Sequence, residues 1–463
     1  MSGRQVGPDV TMEDLVAATG CTAEVVRGWH RLGLLQGDGE RFPVGDLERA
    51  RLICFAECRG VGAEDIAEAC RAQGDLLEQF AELLGVADRP RRGLGFEEVA
   101  RATGLDEGTL RRIWVASGLG DQDEAFDDDL EALRMLAAVL GAGMPEEAVV
   151  QLVRVYADAL GRVGEAENRL FHYYVHERFR ADGLEGQELM AATSAVGDQV
   201  GGMVEPTVAY FHRKAFQRAL REDFLLHVAE ATTPVGETAG ELVATILFVD
   251  LAGFTPLTDT MGDAAAAQVV ERFSDLVRAA TPRHDGRIVK QIGDEFMVAF
   301  TEPAKALGFA LDLCDSVGRE PRFPGLRIGA HHGTVLYREG DYIGGTVNVA
   351  ARVTAAAGRD EFLVTQAFVD ETPLPQDVEV SSRGPRALKG ISGMVELYSV
   401  QRGSGWSDPL VDPVCQMVLE PGSTVTVWWE GRQVSFCSPE CAERFSADPE
   451  RYAAVLGGTE QPS

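Results

Sequence analysis

The sequence predicts a multidomain chain: an all-α first half, a central α+β domain with helices backing a mostly antiparallel sheet, and a small cysteine-containing module at the end. Three observations predict it. Apolar residues recur at helical spacing through most of the first 230 residues. Between Glu241 and about Val400, β-rich runs alternate with amphipathic segments. Beyond a stretch reading Q-R-G-S-G-W-S-D-P-L, three of the eight cysteines cluster near the end. A chain of 463 residues is too long for one hydrophobic core. Its formal charge of −30 argues against nonspecific binding to nucleic acid or an anionic membrane, because neutralising phosphates needs local Lys and Arg. No apolar run is long enough for a bilayer, and M-S-G-R-Q-V-G-P-D-V lacks the core of a signal peptide. A cytoplasmic chain is expected, whose thiols stay reduced or bind metal.

In chain order, T-M-E-D-L-V-A-A-T-G-C-T-A-E-V-V-R-G-W-H-R-L-G-L-L places two short helices either side of Gly20. G-E-R-F-P-V-G-D-L-E-R-A-R-L-I then reads as a wing-like hairpin and a helix from about Asp46. The chain repeats this unit: Val99–Leu119 matches Leu15–Leu35, and D-L-E-A-L-R-M-L matches D-L-E-R-A-R-L-I. In the second copy the wing is G-D-Q-D-E-A-F-D-D-D, which repels phosphate. Residues 146–230 predict long amphipathic helices suited to a dimer interface, with His212 and His227 expected as ordinary helix-surface or interface histidines and titration near neutral pH as the alternative. T-T-P-V-G-E-T-A-G, 232–240, reads as a linker.

Strands are expected at Ala244–Val249, Arg287–Gln291, Phe296–Ala299, Leu326–His332 and Glu361–Val364, with helices near 263–280 and 303–318. T-I-L-F-V-D-L-A-G-F-T is a buried strand running into a carboxylate, Asp250, and a glycine turn. The N–H groups of Gly253, Phe254 and Thr255 are free there to face a phosphate. R-I-V-K-Q-I-G-D-E-F-M-V-A-F puts Asp294 at a hairpin tip. Two such acids at neighbouring strand ends make a two-cation site. G-D-Y-I-G-G-T-V-N-V-A-A-R-V offers Asp341 before a Gly-Gly turn, then Asn348 and Arg352 four apart on one helix face. R-A-L-K-G-I-S-G adds Lys389.

F-V-D-L-A-G-F-T, K-Q-I-G-D and D-Y-I-G-G-T-V-N-V-A-A-R, in this order and separation across 241–400, resemble the motifs of the class III adenylyl/guanylyl cyclase catalytic domain. The resemblance implies that Asp250 and Asp294 hold two Mg²⁺ or Mn²⁺ ions, and that Lys290 and Asp341 read adenine. It further implies that Asn348 orients the ribose, Arg352 stabilises the transition state and Lys389 binds triphosphate. A carboxylate at Asp341 accepts from adenine's amine and faces an acceptor in guanine, which disfavours a guanylate cyclase. The family shares each site between subunits, so a homodimer acting on ATP is implied.

The first helical copy resembles the winged helix-turn-helix of the mercury-resistance regulator (MerR) type, with Arg27 and Arg41 where that family often has arginines facing DNA, and a regulatory or dimerising role is expected ahead of DNA binding. The second is similar to the helical regulatory domain of actinobacterial soluble adenylate cyclases. A DNA-binding or nucleotide-sensing regulator with a cyclase fold that does not turn over is therefore the rival reading, against which the complete catalytic set and the acidic charge both count. D-P-V-C-Q-M-V through F-C-S-P-E-C-A-E-R-F resembles the YHS domain, associated with metal-handling proteins. Cys415, Cys437 and Cys441 offer three thiolates for Zn²⁺ or Cu⁺, with no obvious fourth ligand. Gln416 stands where that family has Gly, and Val434-Ser435 where it has an aromatic-histidine pair. Cys21, Cys54, Cys58 and Cys70 are expected on helical faces, with core packing their default role and that of Cys314. The Cys54–Cys58 pair has the spacing for metal or redox chemistry. The expected domains are 1–85, 86–231, 241–400 and 408–457.

Overall fold

The computed structural model describes residues 10–83, 94–120, 124–232, 241–403, 410–419, 422 and 424–456. The chain divides into two compact units, 1–233 and 234–463. The expected linker lies, beyond Thr232, outside the described residues.

The first unit begins with β1 (Val10–Thr11), α1 (Met12–Thr19), α2 (Ala23–Arg31), β2 (Arg41–Phe42), α3 (Asp46–Glu57), α4 (Ala63–Gln73) and α5 (Leu76–Leu83). The second copy follows as β3 (Leu94–Gly95), α6 (Phe96–Thr103), α7 (Glu107–Ala116), β4 (Glu124–Ala125) and α8 (Asp127–Gly141). The duplication is visible in the turn chemistry. Gly20 and Gly104 both end their helices in the left-handed conformation, and Thr22 and Asp106 both cap the next helix through a side-chain oxygen. Among the described residues, each wing strand pairs with the start of its own repeat. Arg41–Phe42 pairs with Val10–Thr11, and Glu124–Ala125 with Leu94–Gly95, because Phe42 and Ala125 are drawn into their cores. Cys21 sits in the turn rather than on a helix, its Sγ 3.8 Å from that of Cys54, so Cys54 meets the turn and not only Cys58.

α9 (Glu146–Phe171), a π-helical turn, α10 (Glu177–Ala181) and α11 (Gly186–Thr232) complete the unit. α9 buries only Val149, Val150 and Val153, leaving Tyr156, Leu160, Tyr173 and Tyr174 exposed on and after it. On α11, His212 is exposed and stacks on Phe216, also exposed. No helix of the described residues is long and apolar enough to cross a membrane.

The second unit contains an eight-stranded sheet. Its elements are β5 (Glu241–Leu251), α12 (Phe254–Met261), α13 (Asp263–Ala280), β6 (Arg287–Ile292), β7 (Glu295–Phe300), α14 (Pro303–Val317), β8 (Leu326–Arg338), β9 (Asp341–Ile343), α15 (Gly345–Ala356), β10 (Glu361–Thr365), α16 (Gln366–Asp370), β11 (Val378–Ala387) and β12 (Met394–Arg402). The order is β11-β12-β10-β8-β5-β7-β6, with β9 on β8; the β8–β10 pair is parallel and the rest are antiparallel. β5 runs past its expected end at Val249 through Asp250 to Leu251. Alternation sends Leu247, Val249 and Leu251 into the core that includes α13 and α14. Ala244, Ile246 and Phe248 turn to the other face and pack against Ala350 of α15, so Asp250 points to that face too.

The cysteine module adds the hairpin β13 (Val425–Trp429) and β14 (Arg432–Phe436), α17 (Pro439–Ala447) and α18 (Pro449–Leu456). It has no core of its own. Val414, Cys415, Met417, Val434, Phe436, Cys441 and Phe445 belong to the same buried cluster as Leu251, Leu257, Phe273 and Phe323.

Candidate active site

Asp250 is carried to the sheet's end because it follows six residues, 244–249, whose side chains are buried on alternate faces. Asp294 sits with Gly293 in the two-residue connection of the β6–β7 hairpin, Gly293 taking a positive φ of 63°. The two carboxylates face each other. Burial, then the nearby Asp250 charge, pushes the Asp294 carboxyl up to about 7, and the same two causes raise Glu295. Two acids forced together in a partly buried place are a donor set that a divalent cation relieves, and hard oxygen ligands suit Mg²⁺ or Mn²⁺.

Arg327 was not legible as a site residue. It lies directly across from Asp250 in the β5–β8 register, and its Nη2 donates to Asp250 Oδ2 at 2.7 Å. Its Nε is buried without a partner. The signal was a single arginine in the apolar run L-R-I-G-A, on the face that Asp250 shares.

Lys290 and Asp341 are brought together: the Lys290 ammonium donates to Asp341 Oδ2. Each side chain keeps more than a third of its surface exposed (37% and 36%), so a ligand can reach between them. Asp341 also accepts from the Tyr342 N–H at 2.8 Å, and Arg287 reaches from β6 to Tyr337 Oη at 3.0 Å and to the Gly340 carbonyl at 3.3 Å. Those bonds tie the β8–β9 hairpin to β6.

Asn348 and Arg352 lie on the exposed face of α15, opposite the buried Ala350, Val353 and Thr354. No hydrogen bond or ion pair joins either one to the carboxylates or to the Lys290–Asp341 pair among the described residues. Lys389 is exposed in the turn between β11 and β12, likewise unconnected to the rest. The Gly253 turn opens α12 in a left-handed conformation, φ 79°, and the first N–H groups of that helix have no carbonyl four residues back.

Residues 240–402 match the family described as the adenylate and guanylate cyclase catalytic domain, and 410–455 match the YHS domain. An adenylate cyclase of Streptomyces coelicolor is 30% identical over 300 residues, covering 61% of this chain and 73% of that protein. A pH-sensitive adenylate cyclase of Mycobacterium tuberculosis is 29% identical over 322 residues, 66% of this chain and 78% of its own. Among solved structures, an adenylate cyclase of Trypanosoma brucei in its monomeric state matches 38% of this chain and 95% of its own at 21% identity, with a TM-score of 0.34. The chain belongs to the adenylate and guanylate cyclase family, with a YHS domain joined to its C-terminal side.

Proposed function

We propose that this chain converts ATP to 3′,5′-cyclic AMP and pyrophosphate at a site shared between two copies of itself. The observation that carries the reading is the accessible Lys290–Asp341 pair. An adenine edge entering there exchanges the ion pair for two bonds, the ammonium donating to a ring nitrogen and the carboxylate accepting from the exocyclic amine. Guanine presents a carbonyl at the second position, so Asp341 meets an acceptor and the base is rejected.

Asp250 and Asp294 are the residues that would hold the divalent cations. When bound, these ions supply acidification of the ribose 3′-hydroxyl and charge neutralisation on the triphosphate. The 3′-oxygen then attacks the α-phosphorus in line; its proton passes to water, and the bond to the pyrophosphate oxygen breaks with its electron pair leaving on pyrophosphate. The turn N–H groups of Gly253, Phe254 and Thr255 suit phosphate oxygens, with Lys389 as a further cation for the triphosphate. Arg352 meets charge developing on the α-phosphate with a permanently ionised fork, and Asn348 orients the ribose. Among the described residues no hydrogen bond or ion pair joins Asn348 or Arg352 to Asp250 or Asp294 of the same chain, which supports a site in which the two aspartates of one copy work with Lys290, Asp341, Asn348 and Arg352 of the other.

Purified protein given ATP or GTP with Mn²⁺ should form cyclic AMP in preference to cyclic GMP. Asp250→Ala and Arg352→Ala should each be inactive alone and recover activity when mixed, through one intact site per mixed dimer. A mixture that stays inactive, although mixed dimers form, removes the shared site.

A further inference from the structure

Asp412, Cys415, Cys437 and Cys441 take no part in the chemistry above. Their ligand atoms nevertheless all lie within 4.8 Å of one another, and no other group of three or more such side chains converges this way among the described residues. Asp412 and Cys415 are fully buried and Cys441 is 2% exposed. The Cys415–Cys437 and Cys437–Cys441 Sγ atoms are 3.5 and 3.7 Å apart. Thiolates on a tetrahedral Zn²⁺, with bonds of about 2.3 Å, stand roughly 3.8 Å apart. Asp412 is the fourth ligand missing from the three-cysteine reading. Its Oδ1 accepts from Val414 N–H at 2.8 Å and Cys415 N–H at 3.3 Å, and its Oδ2 from Cys437 N–H at 2.7 Å. A carboxylate offers about four lone-pair positions, so one on Oδ2 remains for a cation.

The loop that carries these ligands is pressed against the catalytic turn. Gln416 adopts φ 65°, and its side chain lies so close over Gly253 that a Cβ there would come within 2.6 Å of it. The Gln416 carbonyl accepts from Arg359 at 2.7 Å, and Met417 forms a β-bridge with Pro324. Next to Pro324, the Gly325 carbonyl accepts from Ala252 N–H at 2.8 Å, one residue before Gly253. At the far end of α12, Arg444 donates to the Asp259 carbonyl at 2.9 Å. These contacts reach the turn from the core side of the sheet, the side taken by Leu251 and Leu257, while Asp250 points to the opposite face.

We propose that the C-terminal module is a zinc-dependent clamp: one Zn²⁺ held by Asp412, Cys415, Cys437 and Cys441 stiffens the 412–417 loop, which through Gln416 holds the nucleotide turn 252–255 in its working shape. Because the clamp bears on the turn from behind, loading it favours turnover. Only this sign rests on the cyclase reading.

The test uses the full chain. Elemental analysis should find one zinc per chain in the wild type and none in Cys441→Ser, and cobalt replacing zinc should show thiolate-to-metal absorption. Stripping the zinc, then assaying with Mn²⁺ and ATP, should lower kcat about tenfold. Hydrogen exchange in peptides covering 252–258 should rise in parallel. Gln416→Gly keeps the backbone conformation and the four ligands, so it should retain zinc and yet lose the response of that peptide to stripping. If Cys441→Ser does not fold, Gln416→Gly carries the test alone. Wild type that binds no zinc, or that holds Cys415 and Cys437 as a disulfide instead, overturns the site. Zinc bound with exchange at 252–258 indifferent to its removal overturns the clamp. A zinc-dependent change in exchange with no cyclic product in any form leaves the clamp standing and removes the enzyme reading.

Discussion

Two sets of side chains with donor atoms suited to cations sit in one compact unit, and they are opposites. Asp250 and Asp294 are hard oxygen donors at the end of a sheet, only partly shielded, with Arg327 already holding one oxygen. Asp412, Cys415, Cys437 and Cys441 are mainly soft donors, mostly buried, with a complete set of four and backbone N–H groups fixing the carboxylate. An open set that lacks ligands invites a substrate to supply them. A closed set of four leaves nothing for a substrate and serves architecture. The lesson is that an acid's partners, more than its identity, decide what it can do: half-buried Asp250 faces a second carboxylate, and fully buried Asp412 faces three thiols.

The largest effect that would sharpen this contrast is at the open pair. Asp250→Ala or Asp294→Ala should cut kcat by on the order of a thousandfold or more, with zinc content unchanged. If either substitution instead released zinc, the two sets would be one coupled system. Next comes the shared core. Phe445, 1% exposed, edge-on to Trp429 and tilted against Phe436, should cost about 3 to 5 kcal/mol on truncation to Ala. The loss should appear as a lower Tm of the whole catalytic unit in calorimetry, and a separate low-temperature transition for the tail alone would contradict the common core. Asp341→Asn should bring the ratio of ATP to GTP turnover down by about a hundredfold, since an amide can donate to guanine's carbonyl; an unchanged ratio would place base reading elsewhere.

The smallest effect concerns stability without metal. Asp294 has a folded pKa raised to about 7, above its value in the unfolded chain. Its neutral form therefore supports the fold: that support is complete below the unfolded value of 3.8, declines above it, and is gone once pH has risen through about 7. At pH 8 without divalent cations, Asp294→Asn should be more stable than wild type by about 1 to 2 kcal/mol, discounted for partial exposure; the gain should shrink as pH falls below about 7 and vanish only below the unfolded value of 3.8. Denaturant melts across that pH range measure it.

The site was unevenly legible. Asp250 and Asp294 stood out because a β-rich run ending in an acid and a glycine is a local pattern. Lys290 and Asp341, 51 positions apart, were named by resemblance, and their ion pair forms because the β8–β9 hairpin meets β6. Arg327 and Asp412 went unnoticed because each owes its role to a neighbour distant in sequence. Arg327 faces Asp250 across 77 positions, and Asp412 receives a hydrogen bond from Cys437 across 25. The wings misled for a related reason: two-residue strands take whichever partner the buried Phe42 or Ala125 brings near, and here that was the start of each repeat.

What the sequence by itself determined were the local properties: helix periods, the alternation of β5, the turn glycines, the duplication, and the residue types needed for metal and nucleotide chemistry. These follow from short-range sterics and from side-chain patterns that repeat over a few residues. Tertiary structure alone decided that the cysteine module has no separate core, that Asp412 joins the thiols, and that Gln416 rests on Gly253. Those are packing outcomes, set by which buried surfaces fit one another across many positions, and no stretch of the chain encodes them alone.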